Sequence, residues 1–173
     1  MLDTVLGPAG RAAAQTAGQH ERRDEESGSR MKTKTEVVLA GIRDTPLSVD
    51  ELVEAVRDRR AGAVVTFIGY VRDHDHGESV EVLDYECHPS AAEVAGELAG
   101  RLAADGRVLR LGVVHRVGHL TVGDIAVVAA VSAAHRAEAF EVCRLLIDEF
   151  KSSVPIWKHQ TFTDGSDEWV GLP

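Results

Sequence analysis

Two strongly apolar stretches, 108–117 and 124–131, lie close together in the middle of the chain. They consist mainly of Val, Leu, Ile and Ala, with Gly118 and Gly123 between them, so they predict two neighbouring strands of a buried sheet. The longest uninterrupted apolar run, Ile125–Val131, is far shorter than the ~18 residues that a membrane-spanning helix needs. We therefore expect a globular domain built around these strands, with no membrane association.

Five further segments have the composition of strands. Residues 80–86 follow the turn-forming sequence Asp73–Gly77, so we expect them to return as a hairpin against residues 63–72. The other three predicted strands are 36–40, 156–162 and 169–170.

Three segments predict helices. Ser48 and Ser90 each precede a glutamate by three residues, which is the capping-box pattern of a helix start. The expected helices run from Ser48 to about Arg59, from Ser90 to about Ala104 and from about His135 to Lys151. In the third, a buried face is predicted by the spacing of Phe140, Cys143, Ile147 and Phe150. Adjacent strands between a few helices indicate an α+β fold with a mostly antiparallel sheet and about three helices.

The start of the chain differs from the rest. Its first thirty residues have no sustained apolar period and contain the dense charged run Glu21–Glu26, so they cannot bury enough surface to offset the entropy of ordering. We expect residues 1–33 to be a disordered N-terminal tail and residues 34–173 to form one domain.

Charge and cysteine content argue against two classes of protein, nucleic-acid binders and disulfide scaffolds. The formal net charge is −9, which argues against a general nucleic-acid binder because such proteins usually need a basic face. The two cysteines, Cys87 and Cys143, are too few for a disulfide scaffold, and a reducing cytoplasm is the simplest location.

The common cofactor and metal motifs are also absent. No phosphate-binding glycine loop follows a predicted strand, and no C-x-x-C or H-E-x-x-H sequence occurs, so we expect no cofactor. His74 and His76 are compatible with a metal site, but they lie in an Asp/Gly-rich turn without a nearby third ligand, and a solvated turn is favoured. Cys87 and His88 are adjacent in a strand, where neighbours point to opposite faces, so adjacency does not make them a catalytic pair.

A set of cations near well-structured elements is the stronger functional signal. Taken singly, each has a structural explanation, such as the helix dipole for Lys151 or an edge strand for Lys158. His135 and Lys151 lie at the two ends of one predicted helix, roughly 24 Å apart at about 1.5 Å per residue. If both bind the same anion, the site must combine two copies of the chain. The cationic side chains concerned are Arg72, His135, Arg136, Lys151 and Lys158.

Four separated motifs resemble the large, catalytic subunit family of molybdopterin synthase, in order and with compatible spacing over residues 34–171. They are the segments Gly62–Arg72, Val114–Gly118, Ser132–Arg136 and Phe150–Lys158. The resemblance implies an α/β-hammerhead type of α+β domain. It also implies a homodimer with shared active sites and a small ubiquitin-like subunit at each end, which together make a heterotetramer.

The activity that the resemblance implies is that of a sulfurtransferase in molybdenum cofactor biosynthesis. Two sulfurs would pass from C-terminal Gly-Gly thiocarboxylates of the small subunits to cyclic pyranopterin monophosphate, giving the dithiolene of molybdopterin. The present chain ends Gly171-Leu172-Pro173, so we expect the donor to be a separate protein.

Site residues follow from the same resemblance. Lys151 and Lys158 would be the catalytic lysines of the pocket. In the family, the residue after the second lysine is usually Arg or Lys. This chain has His159 at that position, a departure that weakens the positive charge there. The expected substrate-binding residues are Val71, Arg72, His135, Arg136, His159 and Gln160.

Two other functions remain open on sequence grounds. One is a non-catalytic adaptor that docks a ubiquitin-like protein, for which the Lys151/Lys158 pair is not required. The other is an unrelated enzyme of the same fold that acts on a phosphate ligand. Formation of the dithiolene product from a thiocarboxylated small subunit distinguishes all three, whereas a pull-down does not.

Overall fold

The computed structural model describes residues 34–75, 78–162 and 165–171. The expected tail and His76 lie outside these residues. Three helices are described: α1 is Val49–Ala55, α2 is Ala91–Ala104 and α3 is Arg136–Ser153. The strands are β1 Glu36–Arg43, β2 Ala63–Tyr70, β3 His74–Asp75, β4 Glu78–Cys87, β5 Arg110–Arg116, β6 Gly118–Thr121, β7 Ile125–Ala133, β8 Ile156–Phe162 and β9 Asp167–Val170.

The two apolar stretches form the centre of a four-stranded sheet in the order β1-β5-β7-β2. β5 and β2 run antiparallel to β7, whereas β1 runs parallel to β5. Both faces are covered: Val113 and Ala129 contribute to a core with α2 and α3, and Val114 and Val128 contribute to one with Leu52 of α1. Burial on both faces explains why these strands are almost continuously apolar.

The second sheet is entirely antiparallel and is centred on β4. β4 pairs with β3, β6 and β8, and β9 extends the sheet beyond β8. The predicted hairpin between 63–72 and 80–86 is therefore wrong, because β2 pairs with β7 in the first sheet. The segment after Asp73 contributes only the two-residue strand β3, which pairs with β4.

Of the two predicted capping boxes, only the serine half of the first is present, because the Glu51 carboxylate pairs with Arg43. The Ser48 hydroxyl accepts a hydrogen bond from the Glu51 amide at 3.2 Å, as expected, although α1 ends at Ala55 and is shorter than predicted. Ser90 lies at the start of α2 but makes no side-chain capping bond. Its hydroxyl is engaged instead with Nδ1 of His88, at 2.8 Å.

The helix α3 buries most of its predicted apolar face. Cys143, Ile147 and Phe150 are buried on its apolar face as predicted, but Phe140 is 63% exposed. Phe140 lines an apolar groove of about 240 Å³ with Phe67 of β2, which is the edge strand of the first sheet.

Three helices with two mostly antiparallel sheets confirm the predicted α+β class. Among the described residues, no helix is both long enough and apolar enough to cross a membrane.

Candidate active site

A cleft of about 620 Å³ lies where the end of β2 meets β4, β8 and the last turn of α3. Three of its side chains are cationic, in a chain whose net charge is −9. Such a concentration of positive charge favours an anionic ligand. The lining residues are Gly69, Tyr70, Val71, Arg72, His74, Leu83, Tyr85, Lys151, Lys158 and Gln160.

The pleat of β8 decides which of its residues reach the cleft. Lys158 and Gln160 are two positions apart and share one face of the strand, while His159 points to the other. Across the ladder, Lys158 pairs with Tyr85 and Gln160 pairs with Leu83, and both of these β4 residues also line the cleft.

Gln160 forms a buried link between a cation and a carboxylate. It has no exposed surface, although it is polar. Its Oε1 accepts a hydrogen bond from Nζ of Lys158 at 3.0 Å, and its Nε2 donates to Oε2 of Glu168 at 3.1 Å. These two bonds fix the orientation of the amide, so Gln160 holds the Lys158 ammonium at the floor of the cleft.

Lys151 is held differently. Its side chain is exposed at the C-terminal end of α3, and Nζ lies 5.9 Å from the centre of the Phe67 ring, a cation–π contact. Within the part of the chain that the structure describes, Lys151 has no carboxylate partner. A lysine without a counter-charge, beside Arg72 and Lys158 in the same cleft, is suited to meet an anion.

Val71 and Arg72 follow directly after β2. Val71 is 5% exposed, and its amide donates to the carbonyl of Asp124 at 2.9 Å. This bond anchors the backbone where the strand ends, so the exposed Arg72 side chain starts from a fixed point at the rim of the cleft.

The structure does not place His159 in this cleft. Its ring stacks on Trp169 of β9, with ring centres 4.4 Å apart, and its Nε2 lies 2.8 Å from Oδ2 of Asp167 in a hydrogen bond. The strand alternation that brings Lys158 and Gln160 together turns His159 away from them.

His135 and Arg136 lie at the opposite end of α3 from Lys151, as the helix length required. Both side chains are exposed, and neither makes a hydrogen bond or ion pair with another described residue. Their end of the helix adjoins the start of β2, since the Gly62 amide donates to the carbonyl of Ala133 at 3.1 Å. The two groups of cations are therefore separated by the length of β2 within one chain.

Gly62 shows how close this approach is. A Cβ at this position would lie 2.5 Å from the carbonyl oxygen of Ala134, inside van der Waals contact. The absence of a side chain lets the segment before β2 pack directly against the segment that leads into α3.

Other candidate nucleophiles and ligands do not form a site. Burial raises the pKa of Cys143 to about 11 and also raises that of Cys87, so neither thiol is ionised at neutral pH. Among the residues that the structure describes, no three His, Cys, Asp or Glu side chains are grouped to hold a metal ion.

Sequence reasoning missed three aromatic or imidazole groups near the cleft. Tyr70 and Tyr85 line it, and His115 is buried behind Lys151 in a smaller cavity. The pairing of β4 with β8 brings Tyr85 to the site from a distant part of the sequence, so no local motif indicates it.

Comparisons with known proteins identify the family. A family model described as MoaE protein matches residues 42–153. The molybdopterin synthase catalytic subunit 1 of Mycobacterium tuberculosis is 44% identical over 129 residues, covering 74% of this chain and 87% of that protein. The chain belongs to the MoaE family.

A second relative and a solved structure agree with this membership. The molybdopterin synthase catalytic subunit of Bacillus subtilis is 35% identical over 131 residues, covering 75% of this chain and 83% of that protein. The X-ray structure of molybdopterin synthase from Staphylococcus aureus matches with a TM-score of 0.71 and 32% identity, over 76% of this chain and 96% of that one. Like other MoaE proteins, this chain acts as an enzyme subunit in molybdenum cofactor biosynthesis.

Proposed function

We propose that this MoaE chain is the sulfur-transferring subunit of a molybdopterin synthase, which converts cyclic pyranopterin monophosphate to molybdopterin. The observation that carries the proposal is the convergence of Arg72, Lys151 and Lys158 on one cleft in an acidic chain. Both reactants are anionic, since the pterin carries a phosphate and the sulfur donor a thiocarboxylate. A cationic cleft attracts both of them.

Each cation has a role that fits its surroundings. Lys151, which has no counter-charge among the described residues, serves in proton transfer or makes a transient covalent contact with the donor tail. Lys158, fixed by Gln160, holds substrate and neutralises the charge that develops as sulfur attacks the pterin side chain. Arg72 offers a planar guanidinium that suits phosphate oxygens.

The sulfur donor in this proposal is a separate small protein of the ubiquitin-like class, ending in a Gly-Gly thiocarboxylate. A narrow tail of this kind fits an open cleft that is lined by two lysines. After transfer, water releases the tail as a carboxylate, and a second thiocarboxylated protein supplies the second sulfur of the dithiolene.

The complete site requires two copies of the chain. The side chains of His135 and Arg136 have no partner among the described residues, yet they lie about 24 Å from Lys151 along α3. A homodimer in which these residues enter the partner's cleft supplies the phosphate with further cations. Two small subunits bound to this dimer make a heterotetramer.

The surface that best fits a second copy is the outer edge of β2. Its sequence is apolar, and Val64 and Tyr70 are 41% and 55% exposed. An uncovered apolar edge strand favours pairing with another chain. If two copies of β2 pair antiparallel about a two-fold axis, the Ala63 end of one lies beside the Tyr70 end of the other. That arrangement brings Arg136 towards the partner's cleft.

The cysteines are consistent with a cytoplasmic location. Cys87 and Cys143 are both free thiols, and Cys143 is buried inside the core. Unpaired cysteines are usual in the reducing cytosol.

Reconstitution tests the proposal. The protein is incubated with a thiocarboxylated small subunit and cyclic pyranopterin monophosphate, and dithiolene product is measured. We expect product from the wild-type protein and a loss of about a hundredfold or more in Lys151→Ala, because the group that moves protons is removed. Lys34→Ala, which removes an exposed lysine away from the cleft, is the matched control and should retain activity.

The same assay separates the alternatives. A docking adaptor binds the small subunit but forms no dithiolene product, although Lys151 and Lys158 are both present. Wild-type turnover in a folded Lys151→Ala variant would contradict the role given to Lys151.

A further inference from the structure

His115, near the end of β5, is the buried titratable group that the proposed mechanism leaves unused. It is 9% exposed and lies between two aromatic rings from different elements. The Tyr85 ring meets it edge-on, with centres 4.9 Å apart, and the Phe150 ring lies parallel to it at 6.0 Å. The imidazole is thus held in one orientation by β4 and α3.

One hydrogen bond sets the tautomer of this ring. Nδ1 of His115 lies 2.7 Å from the carbonyl oxygen of Arg116, and a carbonyl can only accept, so Nδ1 carries the proton. In the neutral ring, Nε2 is then an unprotonated acceptor.

The ring is neutral at physiological pH. Burial lowers the pKa of His115 to about 4; the bond to the Arg116 carbonyl opposes this shift, and the nearby Lys151 ammonium adds to it. The titratable groups that face the ring are the phenol of Tyr85 from β4 and the ammonium of Lys151 from α3.

Behind the main cleft lies a smaller cavity of about 130 Å³, to which both His115 and Lys151 contribute. Its other walls are Tyr85, Phe150, Val154 and Ile156. Lys151 and Tyr85 line the main cleft as well, so they form the boundary between the two spaces. Among the described residues, neither Nε2 of His115 nor Nζ of Lys151 has a hydrogen-bond partner.

We propose that Nε2 of His115 accepts a hydrogen bond from the Lys151 ammonium when this side chain turns inward, so that His115 is the positioning residue of Lys151. The lysine then has two places, one over the Phe67 ring and one against His115. A neutral acceptor suits this purpose, because it orients the ammonium without cancelling its charge. This role rests on the function proposed above for Lys151.

A purely structural histidine would behave differently. Packing between Tyr85 and Phe150 requires only a flat ring, which phenylalanine also supplies. Positioning of Lys151 requires the acceptor at Nε2, which glutamine can supply in roughly the same place.

The contact is tested first without catalysis, in the full-length protein. Histidine nitrogens are labelled with ¹⁵N, and long-range ¹H–¹⁵N correlation spectra follow the protonation of His115 with pH. We expect Lys151→Met to shift the Nε2 resonance and to raise the pKa of His115 above its wild-type value, because both the hydrogen bond and the neighbouring positive charge are lost. Lys158→Met is the matched control, since Lys158 lines the main cleft but not the small cavity. Unchanged His115 signals in Lys151→Met would overturn the proposal.

Activity provides the second test. We expect His115→Phe to lower kcat by about tenfold to a hundredfold with little change in KM, because Lys151 is misplaced while the cleft is intact. His115→Gln should recover most of that loss. Equal kcat in His115→Phe and wild type, or equal losses in the two variants, would contradict positioning. If the wild-type protein makes no dithiolene, the proposed function fails, while the spectra still decide whether His115 contacts Lys151.

Discussion

The two ends of β2 and α3 carry cations in very different settings. At one end, Arg72, Lys151 and Lys158 face a shared cleft with buried polar support from Gln160. At the other end, His135 and Arg136 project into solvent without a side-chain partner among the described residues. The first group is organised by tertiary packing around the cleft, whereas neither residue of the second group lines that cleft.

In the dimer proposed above, each end is half of a site. Exposed cations at a helix N-terminus do not favour the helix, because the dipole there is positive. Their placement is explained if a second chain brings an anion-binding cleft to them. Phe140 lines a groove with residues of β2, and this apolar surface is the interface of the proposed dimer.

Among the tests of this comparison, we expect the largest effect from Arg136→Ala, which should raise KM for the pterin substrate. Loss of a charge-assisted bond to phosphate of about 1.5–3 kcal/mol raises KM for the pterin substrate by roughly tenfold to a hundredfold. Steady-state kinetics at fixed donor concentration measure this. Arg101→Ala, which removes an exposed arginine paired with Glu149 on another surface, is the control and should leave KM unchanged. A normal KM in Arg136→Ala would show that this end of the molecule does not serve the cleft.

We expect the next largest effect from Phe140→Glu, which should weaken self-association of the chain. A charge placed in the apolar groove weakens self-association by about 2 kcal/mol or more, roughly thirtyfold in the dissociation constant. Analytical ultracentrifugation over a range of concentrations measures it, and activity should fall as the dimer dissociates. Val122→Glu alters another exposed apolar residue, in the turn between β6 and β7, and should remain dimeric. Dimerisation that is insensitive to Phe140→Glu would place the interface elsewhere.

His159→Ala gives the smallest effect on catalysis. The side chain stacks on Trp169 and bonds to Asp167 on the face of β8 away from the cleft. We expect kcat and KM within about threefold of wild type, and a loss of stability of about 0.5–1.5 kcal/mol from the lost ring contact. Thermal unfolding and kinetics on the same preparation measure both. A hundredfold loss of activity with unchanged unfolding would restore His159 to the site.

Much of the fold can be predicted from local patterns in the sequence. The composition of residues 156–162 predicts β8 with its observed limits, and the three-and-four spacing in α3 predicts its buried face except at Phe140. The hairpin of 63–72 with 80–86 failed because strand partners are chosen by long-range packing: β2 fits against β7 in the two-sided core. Ser90 failed as a cap because a neighbouring imidazole engages its hydroxyl.

The candidate site can be predicted from the sequence only in part. Family motifs located Arg72, Lys151 and Lys158, which the fold brings together. Strand alternation already separates His159 from Lys158, and applying it would have removed His159 from the cleft. The motif Val114–Gly118 contains His115 but does not assign it to the site, because its buried, neutral state depends on rings contributed by β4 and α3.

Mixing two impaired variants tests the shared site most directly. Lys151→Ala and Arg136→Ala proteins are each prepared as dimers, mixed in equal amounts, allowed to exchange subunits, and assayed for dithiolene formation at a pterin concentration well below the KM of Arg136→Ala. In a mixed dimer, one cleft carries both substitutions and the other carries neither, so we expect recovery to about a quarter of wild-type activity. If the subunits exchange and activity does not rise above that of the separate variants, the cleft does not combine Lys151 of one chain with Arg136 of the other, which would contradict the shared site.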